Sequence, residues 1–341
     1  MARSDGMDND PWNASQPSDL FYLPVELLKQ VISYLPVYSQ ASFMVNRFIR
    51  PICEECLYDA ILLAEHPQRS LRLLKTFVLR PDLALRVHKL SIDASGVEYT
   101  SSGKTLGGSN FDRATALSLA KNLHYLSISV SGNWLRKPQY SSLRKAIFNM
   151  KLKGLTLPYV IEWTLWNDLR ASWNIRDRSE DMVHDIRSLL QAQPQLEHLS
   201  FMQCGLSDEV LSILKANLLS SDVPSLKSLE ANQNVAIPFM AAAPGLESLK
   251  LKIIGKWDDT ILSQLEGSSI QSRSSLRRLA VKAWSPDAWI SENFARVFAL
   301  LPNLEALKVW IWVRSEGLDV TSAEYYFNMV YVPSVLAADQ F

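Results

Sequence analysis

Few residues in this sequence have the types and spacing that chemistry requires. Gly103-Lys104-Thr105 matches the end of a phosphate-binding loop, in which backbone N–H groups and a lysine hold phosphate oxygens. Such a loop needs a further glycine at position 98, but that residue is Glu98, whose carboxylate would repel phosphate. We therefore interpret the match as chance and predict no phosphate site.

Two cysteines have the spacing of metal ligands. Cys53 and Cys56 form a C-x-x-C pair, but a structural zinc site needs four ligands and no second pair follows. Neither Cys204 nor His66 has a matching partner nearby in the sequence. We predict that Cys53 and Cys56 are buried helical cysteines and that the protein holds no metal.

The remaining candidates for catalysis are weak. The acidic pairs Glu54-Glu55 and Asp258-Asp259 are adjacent in sequence, and adjacent side chains on a helix point apart. The patterns G-x-S-x-G and H-E-x-x-H do not occur. The sequence therefore predicts a protein that is not an enzyme, with no catalytic residue and no cofactor.

The whole-chain composition is that of an ordinary globular protein. The 341 residues are 48% hydrophobic, and 35 basic residues balance 35 acidic ones, so no net field would attract nucleic acid or an anionic membrane. No segment approaches the roughly 20 apolar residues of a membrane-spanning helix. Residues 1–18 are polar and predict a disordered tail without a signal peptide. We expect a cytoplasmic or nuclear protein, or one found in both compartments.

Residues 19–65 predict a module of three short helices. The segment LPVELLKQVISYLP starts with Pro24 near a first helical turn and closes at Pro36, and Pro51 begins a later turn. On a helical projection, the first segment has an apolar arc of about 160°. Such an arc fits either a helix that offers leucines to a partner or one that is buried on two sides. The arc contains Leu27, Leu28, Val31, Ile32, Tyr34 and Leu35, and a second apolar set contains Phe43, Met44, Val45, Phe48, Ile49 and Ile52.

The ordered landmarks of this module resemble the F-box of many fungal proteins. They are LP-x-ELL-x-x-VI-x-x-L, then V-x-RF, then LY-x-x-I, followed by SLRLLKTFVLRPDLALRVHKLSID. The resemblance implies binding to the adaptor subunit of a cullin-based, SCF-type ubiquitin ligase. One departure is VYSQASF, which is polar where the family has a leucine-rich second helix. The adaptor-binding residues that the resemblance implies are Leu23, Pro24, Leu27, Leu28, Ile32, Val45 and Phe48.

A short pattern of the form L-x-x-L-x-apolar returns eight times in residues 66–341. Its alternation is typical of a strand, and its spacing of 20 to 44 residues, often near 28, is typical of leucine-rich repeats. Segments with helical period lie between several of the units. The units are VHKLSI at Val87, LHYLSI at Leu123, LKGLTL at Leu152, LEHLSF at Leu196, LKSLEA at Leu226, LESLKL at Leu246, LRRLAV at Leu276 and LEALKV at Leu304.

The predicted fold class is α/β, a short three-helix F-box followed by an irregular, leucine-rich-repeat-like solenoid. The alternative is an ordinary α/β domain in which such strands recur by coincidence. Two intervals are too long for one repeat, so we predict insertions at 94–110 and 158–181. We also expect a helix over 325–336 to cap the last repeat.

The insertion at 158–181 carries three tryptophans, Trp163, Trp166 and Trp173. Exposed tryptophans often anchor protein interfaces, so they are candidate target-binding residues. Trp163 and Trp166 are three residues apart, however, and could instead form one packed helical face.

The sequence thus leaves two functions open. The first is a substrate-recognition subunit of an SCF-type ubiquitin ligase, whose F-box binds the adaptor while the repeats bind an unknown target protein. The second is a repeat-based interaction scaffold that does not recruit a ligase, which the polar second helix favours.

Overall fold

The computed structural model describes residues 23–63, 66–93, 113–129, 141–157, 175–201, 206, 208–253, 263, 266, 275–283, 296–297, 299–313 and 323–329. The predicted tail 1–18, the predicted insertion 94–110 and the three tryptophans at 163, 166 and 173 lie outside these residues. The chain forms two compact units, Met1–Ala60 and Ile61–Phe341.

The first unit contains three short helices within residues 23–60. Proline precedes two of them, at Pro24 and Pro36, and Pro51 lies in the first turn of the third, where its missing N–H costs no hydrogen bond. The polar segment VYSQASF is helical. The third helix ends one residue before a strand, so LYDAI is helical only in part. The helices are α1 (Val25–Tyr34), α2 (Val37–Phe43) and α3 (Arg50–Asp59).

The second unit is an α/β structure, as predicted. Its helices are α4 (Pro67–Leu79), α5 (Pro81–Ala84), α6 (Arg113–Ser118), α7 (Ser141–Phe148), α8 (Ile175–Gln191), α9 (Asp208–Asn217) and α10 (Gln233–Ala242). The sheet strands are β1 (Ala60–Leu63), β2 (Lys89–Asp93), β3 (Tyr125–Ser129), β4 (Gly154–Leu157), β5 (His198–Phe201), β6 (Ser228–Asn232), β7 (Ser248–Ile253), β8 (Arg278–Ala283), β9 (Ala306–Val313) and β10 (Ala323–Met329).

The strands lie in the sheet in chain order, from β1 to β10. Strands β2 to β9 pair in parallel, and β10 is antiparallel to β9. No helix in the described parts of the chain has the length and apolar character needed to cross a membrane.

One row of leucines aligns the parallel strands. The leucine at the fourth position of every repeat unit pairs in register with its counterpart on the next strand, and each is at most 2% exposed. The inner face of the sheet packs against helices, as shown by the ring contact of Phe201 in β5 with Phe239 in α10, whose centroids are 5.0 Å apart. The leucine row consists of Leu90, Leu126, Leu155, Leu199, Leu229, Leu249, Leu279 and Leu307.

The residue that precedes each strand also forms a regular row. From β4 to β9 its charge alternates, starting with Lys153 and ending with Glu305. The backbone carbonyl of each of these residues, from Lys153 to Arg277, accepts hydrogen bonds from two backbone N–H groups. The donors are the residue before the next strand and the first residue of that strand, so these bonds connect neighbouring repeats. Ion pairs join Lys227 to Glu197 at 3.7 Å and Arg277 to Glu305 at 2.6 Å. This alternation places opposite charges side by side along the edge of the sheet.

One prediction for the second unit is wrong. The segment 323–329 is strand β10 and not part of a capping helix over 325–336, because its backbone completes the hydrogen bonding of β9. Helix α8 begins at Ile175, within the predicted insertion 158–181. Strand β1 was missing from the sequence prediction.

A buried carboxylate joins α8 to the turn after α9. Asp222 is 1% exposed and accepts hydrogen bonds from Arg187 Nε at 2.9 Å, Gln191 Nε2 at 2.6 Å and the Leu219 N–H at 3.0 Å. Burial by itself would raise the pKa of Asp222, but these donors outweigh it and hold the pKa below its ordinary value.

We expect Asp222→Asn to destabilise the protein by about 3 kcal/mol at neutral pH, because it leaves Arg187 without its buried partner. The pKa of Asp222 is lower in the folded state than in the unfolded state. Its stabilisation is therefore present above about pH 4 and is lost as the pH falls through the folded pKa. Urea unfolding of both proteins, followed by circular dichroism between pH 7 and pH 3, should show the difference shrink on acidification. A difference that stays constant over this range would contradict the assignment.

Strand β4 needs a glycine at its first position. The ring of Tyr125 on β3 lies directly over Gly154, and a Cβ added there would overlap the ring at Cδ1 and Cε1. The same ring contacts Lys89 on one side, with Nζ 5.4 Å from the ring centroid, and His198 on the other, with centroids 5.9 Å apart. A tyrosine therefore covers the space that the glycine leaves.

Gly154→Ala should destabilise the protein by about 1–3 kcal/mol, because the new methyl group displaces the Tyr125 ring. In a Tyr125→Ala background the same change should be neutral or stabilising, since alanine fits a strand better than glycine. A double-mutant cycle measured by thermal unfolding tests this coupling. Additive effects of the two changes would show that the ring does not require the glycine.

Candidate functional site

The first unit has a small core formed between α1 and α3. Leu28, Ile32, Ile49 and Cys53 are each at most 6% exposed and pack together. Met44, Ile52 and Cys56 pack against them and are partly buried. The inward side chains of α1 are four residues apart, as expected for one face of a helix.

Polar contacts hold α1 and α3 together around this core. Lys29 Nζ lies 2.6 Å from Glu55 Oε1, and this hydrogen bond raises the pKa of Lys29 above its ordinary value. Cys56 Sγ donates to the Lys29 carbonyl at 3.8 Å. Within α3, Arg50 pairs with the buried Glu54 at 3.0 Å, which satisfies a carboxylate that would otherwise be costly to bury.

The turn between α2 and α3 directs two neighbouring residues in opposite directions. Asn46 Oδ1 accepts hydrogen bonds from the Phe48 N–H at 2.9 Å and the Ile49 N–H at 3.4 Å. Ile49 enters the core, whereas the Phe48 side chain is 67% exposed and the Arg47 guanidinium lies 4.8 Å from its ring centroid. The turn thus presents an aromatic ring to the solvent.

The first unit exposes many large apolar side chains. Leu23 precedes α1, and on the helix Leu27, Val31 and Tyr34 follow one stripe at helical spacing. Tyr34 is 81% exposed. Val45 in the turn between α2 and α3 is 92% exposed. Globular proteins rarely expose this many large apolar side chains on so small a unit unless these side chains form a site of interaction. The N-terminal apolar surface comprises Leu23, Val25, Leu27, Val31, Tyr34, Phe43, Val45 and Phe48.

The structure divides the predicted adaptor-binding set into two groups. Leu23, Pro24, Leu27, Val45 and Phe48 are exposed. The other two, Leu28 and Ile32, are buried in the core of the unit and have a structural role there.

Sequence reasoning did not select four further members of the N-terminal apolar surface. They are Val25, Val31, Tyr34 and Phe43. Three of them lie on α1, and the wide apolar arc of this helix already contained Val31 and Tyr34. The width of this apolar arc could have indicated an exposed apolar face, because the arc is wider than the contact of α1 with α3 requires.

The two helical cysteines are poor candidates for metal binding. Burial is the main cause that raises the pKa of both the Cys53 and the Cys56 thiol, so each stays protonated at neutral pH. Metal binding requires the thiolate. Within the described residues, no group of three or more potential metal ligands comes together.

Comparisons with known proteins found neither a family model nor a curated protein that matches this chain.

The division of α1 into a buried and an exposed face predicts different effects for two adjacent leucines. Leu28→Ala should open a cavity that costs about 2–5 kcal/mol, which corresponds to roughly 30-fold or more faster hydrogen exchange in α1 and α3. Leu27→Ala should leave exchange within about twofold of the wild-type rate, because Leu27 is already half exposed. Hydrogen exchange of the intact chain, read by mass spectrometry, measures both. Equal effects would show that both leucines belong to the core.

Proposed function

We propose that this protein is a substrate-recognition subunit of an SCF-type ubiquitin ligase, with its first unit acting as the F-box. The observation that carries the proposal is the N-terminal apolar surface. It includes Leu23, Leu27, Val45 and Phe48, which are positions that the F-box resemblance assigns to adaptor contact. These side chains project from a folded unit whose core is formed by other residues.

The second unit would provide the surface that binds the target protein. We propose that it is an irregular solenoid related to leucine-rich repeats. In support, its strands follow one another in chain order, pair in parallel from β2 to β9, and repeat one buried leucine at the same register position. A unit of this kind buries its apolar face only against its neighbours, so the repeats stabilise one another.

The proposed mechanism is proximity. The first unit binds the adaptor subunit, the second binds a target protein, and the tether between them raises the effective concentration of target lysines near the ubiquitin-loaded enzyme. In this proposal the chain supplies no catalytic residue, cofactor or metal, and it acts in the cytoplasm or nucleus without binding nucleic acid or membrane. Its partners are the adaptor and a target protein.

Replacing Leu27, Val45 and Phe48 with alanine should weaken adaptor binding by about 100-fold. Each truncated side chain loses roughly 1 kcal/mol of apolar burial in the complex, and three such losses give this factor. Isothermal titration calorimetry of the full chain with purified adaptor measures the change. The three residues are exposed, so the variant should keep the wild-type circular dichroism spectrum.

The matched control replaces three exposed leucines of the second unit, Leu62, Leu79 and Leu219, with alanine. This variant should bind the adaptor like the wild type. If the folded wild-type chain does not bind the adaptor, the ligase function is wrong and the alternative, a repeat-based interaction scaffold, is favoured.

A further inference from the structure

The face of the sheet opposite the leucine row carries polar side chains. Because side chains alternate along a strand, the residues immediately before and after each leucine of the row lie on this polar face. The parallel register aligns them across the sheet in rows, so that Glu230 on β6 is followed by Lys250 on β7, Ala280 on β8 and Lys308 on β9. The positions of the charges on this face are therefore fixed by the same register that aligns the leucines.

Charge on the polar face is concentrated at one end. On β2 to β5 the charged residues of the strands are Lys89 and Asp93, which balance. On β6 to β9, over the residues whose side chains are described, five basic residues accompany one carboxylate, a net charge of +4 in a chain whose total is zero. The basic half of the polar face consists of Lys250, Lys252, Arg278, Lys282 and Lys308, with Glu230.

Ion pairs within the described residues leave two cations of this half, Arg278 and Lys308, uncompensated. Glu230 is shared by two lysines, at 2.9 Å from Lys250 Nζ and 3.7 Å from Lys252 Nζ. Arg278 and Lys308 are exposed, and neither has an ion-pair partner within the described part of the chain. The row of charges before the strands adds no net compensation, because its signs alternate.

Building on the proposed function, we propose that the basic half of the polar face binds an extended acidic segment of the target protein. Neighbouring strands are about 4.8 Å apart, and alternate residues along a strand are about 6.7 Å apart, so each cation lies roughly 5–8 Å from the nearest other cation. Alternate side chains of an extended peptide are about 6.7 Å apart, which falls within this range. Carboxylates at every second residue would thus reach several of these lysines and arginines.

The observations favour an acidic protein segment over a nucleic acid. Glu230 lies within the basic half and would repel a continuous phosphate backbone, whereas a peptide can place an uncharged residue opposite it. The chain has no net positive charge to attract a polyanion from a distance.

The test uses the full chain and a fluorescein-labelled peptide of about twelve residues that alternates glutamate and serine, with binding followed by fluorescence anisotropy. Arg278→Glu/Lys308→Glu should weaken binding by roughly tenfold, since two attractions become repulsions. The matched control, Lys121→Glu/Lys151→Glu, changes the net charge equally at two exposed positions outside the strands and should bind within about twofold of the wild type. A peptide with glutamine in place of glutamate should not bind.

Three results would overturn the inference: no binding of the acidic peptide by the wild type, equal weakening by the control variant, or tighter binding of an oligothymidine of equal charge. Adaptor binding of the same variants, measured in parallel, separates this inference from the proposed function. Loss of peptide binding with adaptor binding intact concerns the polar face alone, whereas a wild-type chain that binds the peptide but not the adaptor contradicts the ligase function alone.

Discussion

The parallel register of the leucine row is the constraint on which the second unit depends. One leucine per repeat, from Leu90 to Leu307, lies opposite its counterpart on the next strand and is almost fully buried. A shift of one residue in any strand would turn its leucine toward the polar face and a residue of the polar face toward the helices, and in β6 to β9 that residue would often be charged. The register therefore sets which side chains are buried, which carbonyls accept from the next turn, and which charges become neighbours.

In the first unit, a small buried core is combined with many exposed apolar side chains. Its core is small, with four buried apolar residues between α1 and α3, and a unit of this size has little stability to spare. It nevertheless leaves Tyr34, Val45 and Phe48 largely exposed. Apolar side chains that remain exposed after folding favour association with a partner, because their burial in a complex is accompanied by a favourable hydrophobic free energy.

The two units thus offer two chemically distinct surfaces. The N-terminal apolar surface would bind through the hydrophobic effect, which depends little on salt, whereas the basic half of the polar face would bind through charge, which salt screens. In the proposed function, this difference would give each of the two partners only one complementary surface. In the first unit the polar contacts, such as the pair of Lys29 with Glu55, hold the helices together and do not compete with the apolar surface.

Much of the fold could be read from the sequence. The eight repeat units predicted strands β2 to β9, and all three apolar positions of every unit are buried, from Val87 to Val309. Helical segments were also expected between several of the units, and α8 lies between β4 and β5 and α9 between β5 and β6. These elements were predictable because a local period of apolar residues reports burial directly.

Other features depended on residues that are distant in sequence. Strand β10 carries no repeat signature, and it is a strand because the free edge of β9 offers hydrogen-bond partners. Gly154 has its role only because Tyr125 lies on the adjacent strand, and Asp222 only because α8 brings Arg187 to it. Within the apolar arc of α1, periodicity could not separate Leu28, which enters the core, from Leu27, which does not.

The sequence by itself determined which residues are apolar, which are charged and at what period they return. Only the tertiary structure decided which apolar residues of α1 remain exposed and how the lysines of β7, β8 and β9 come together on one half of the polar face. The physical reason is that the side-chain period of a helix or strand is a property of the backbone, whereas exposure and charge neighbourhood depend on what packs beside it.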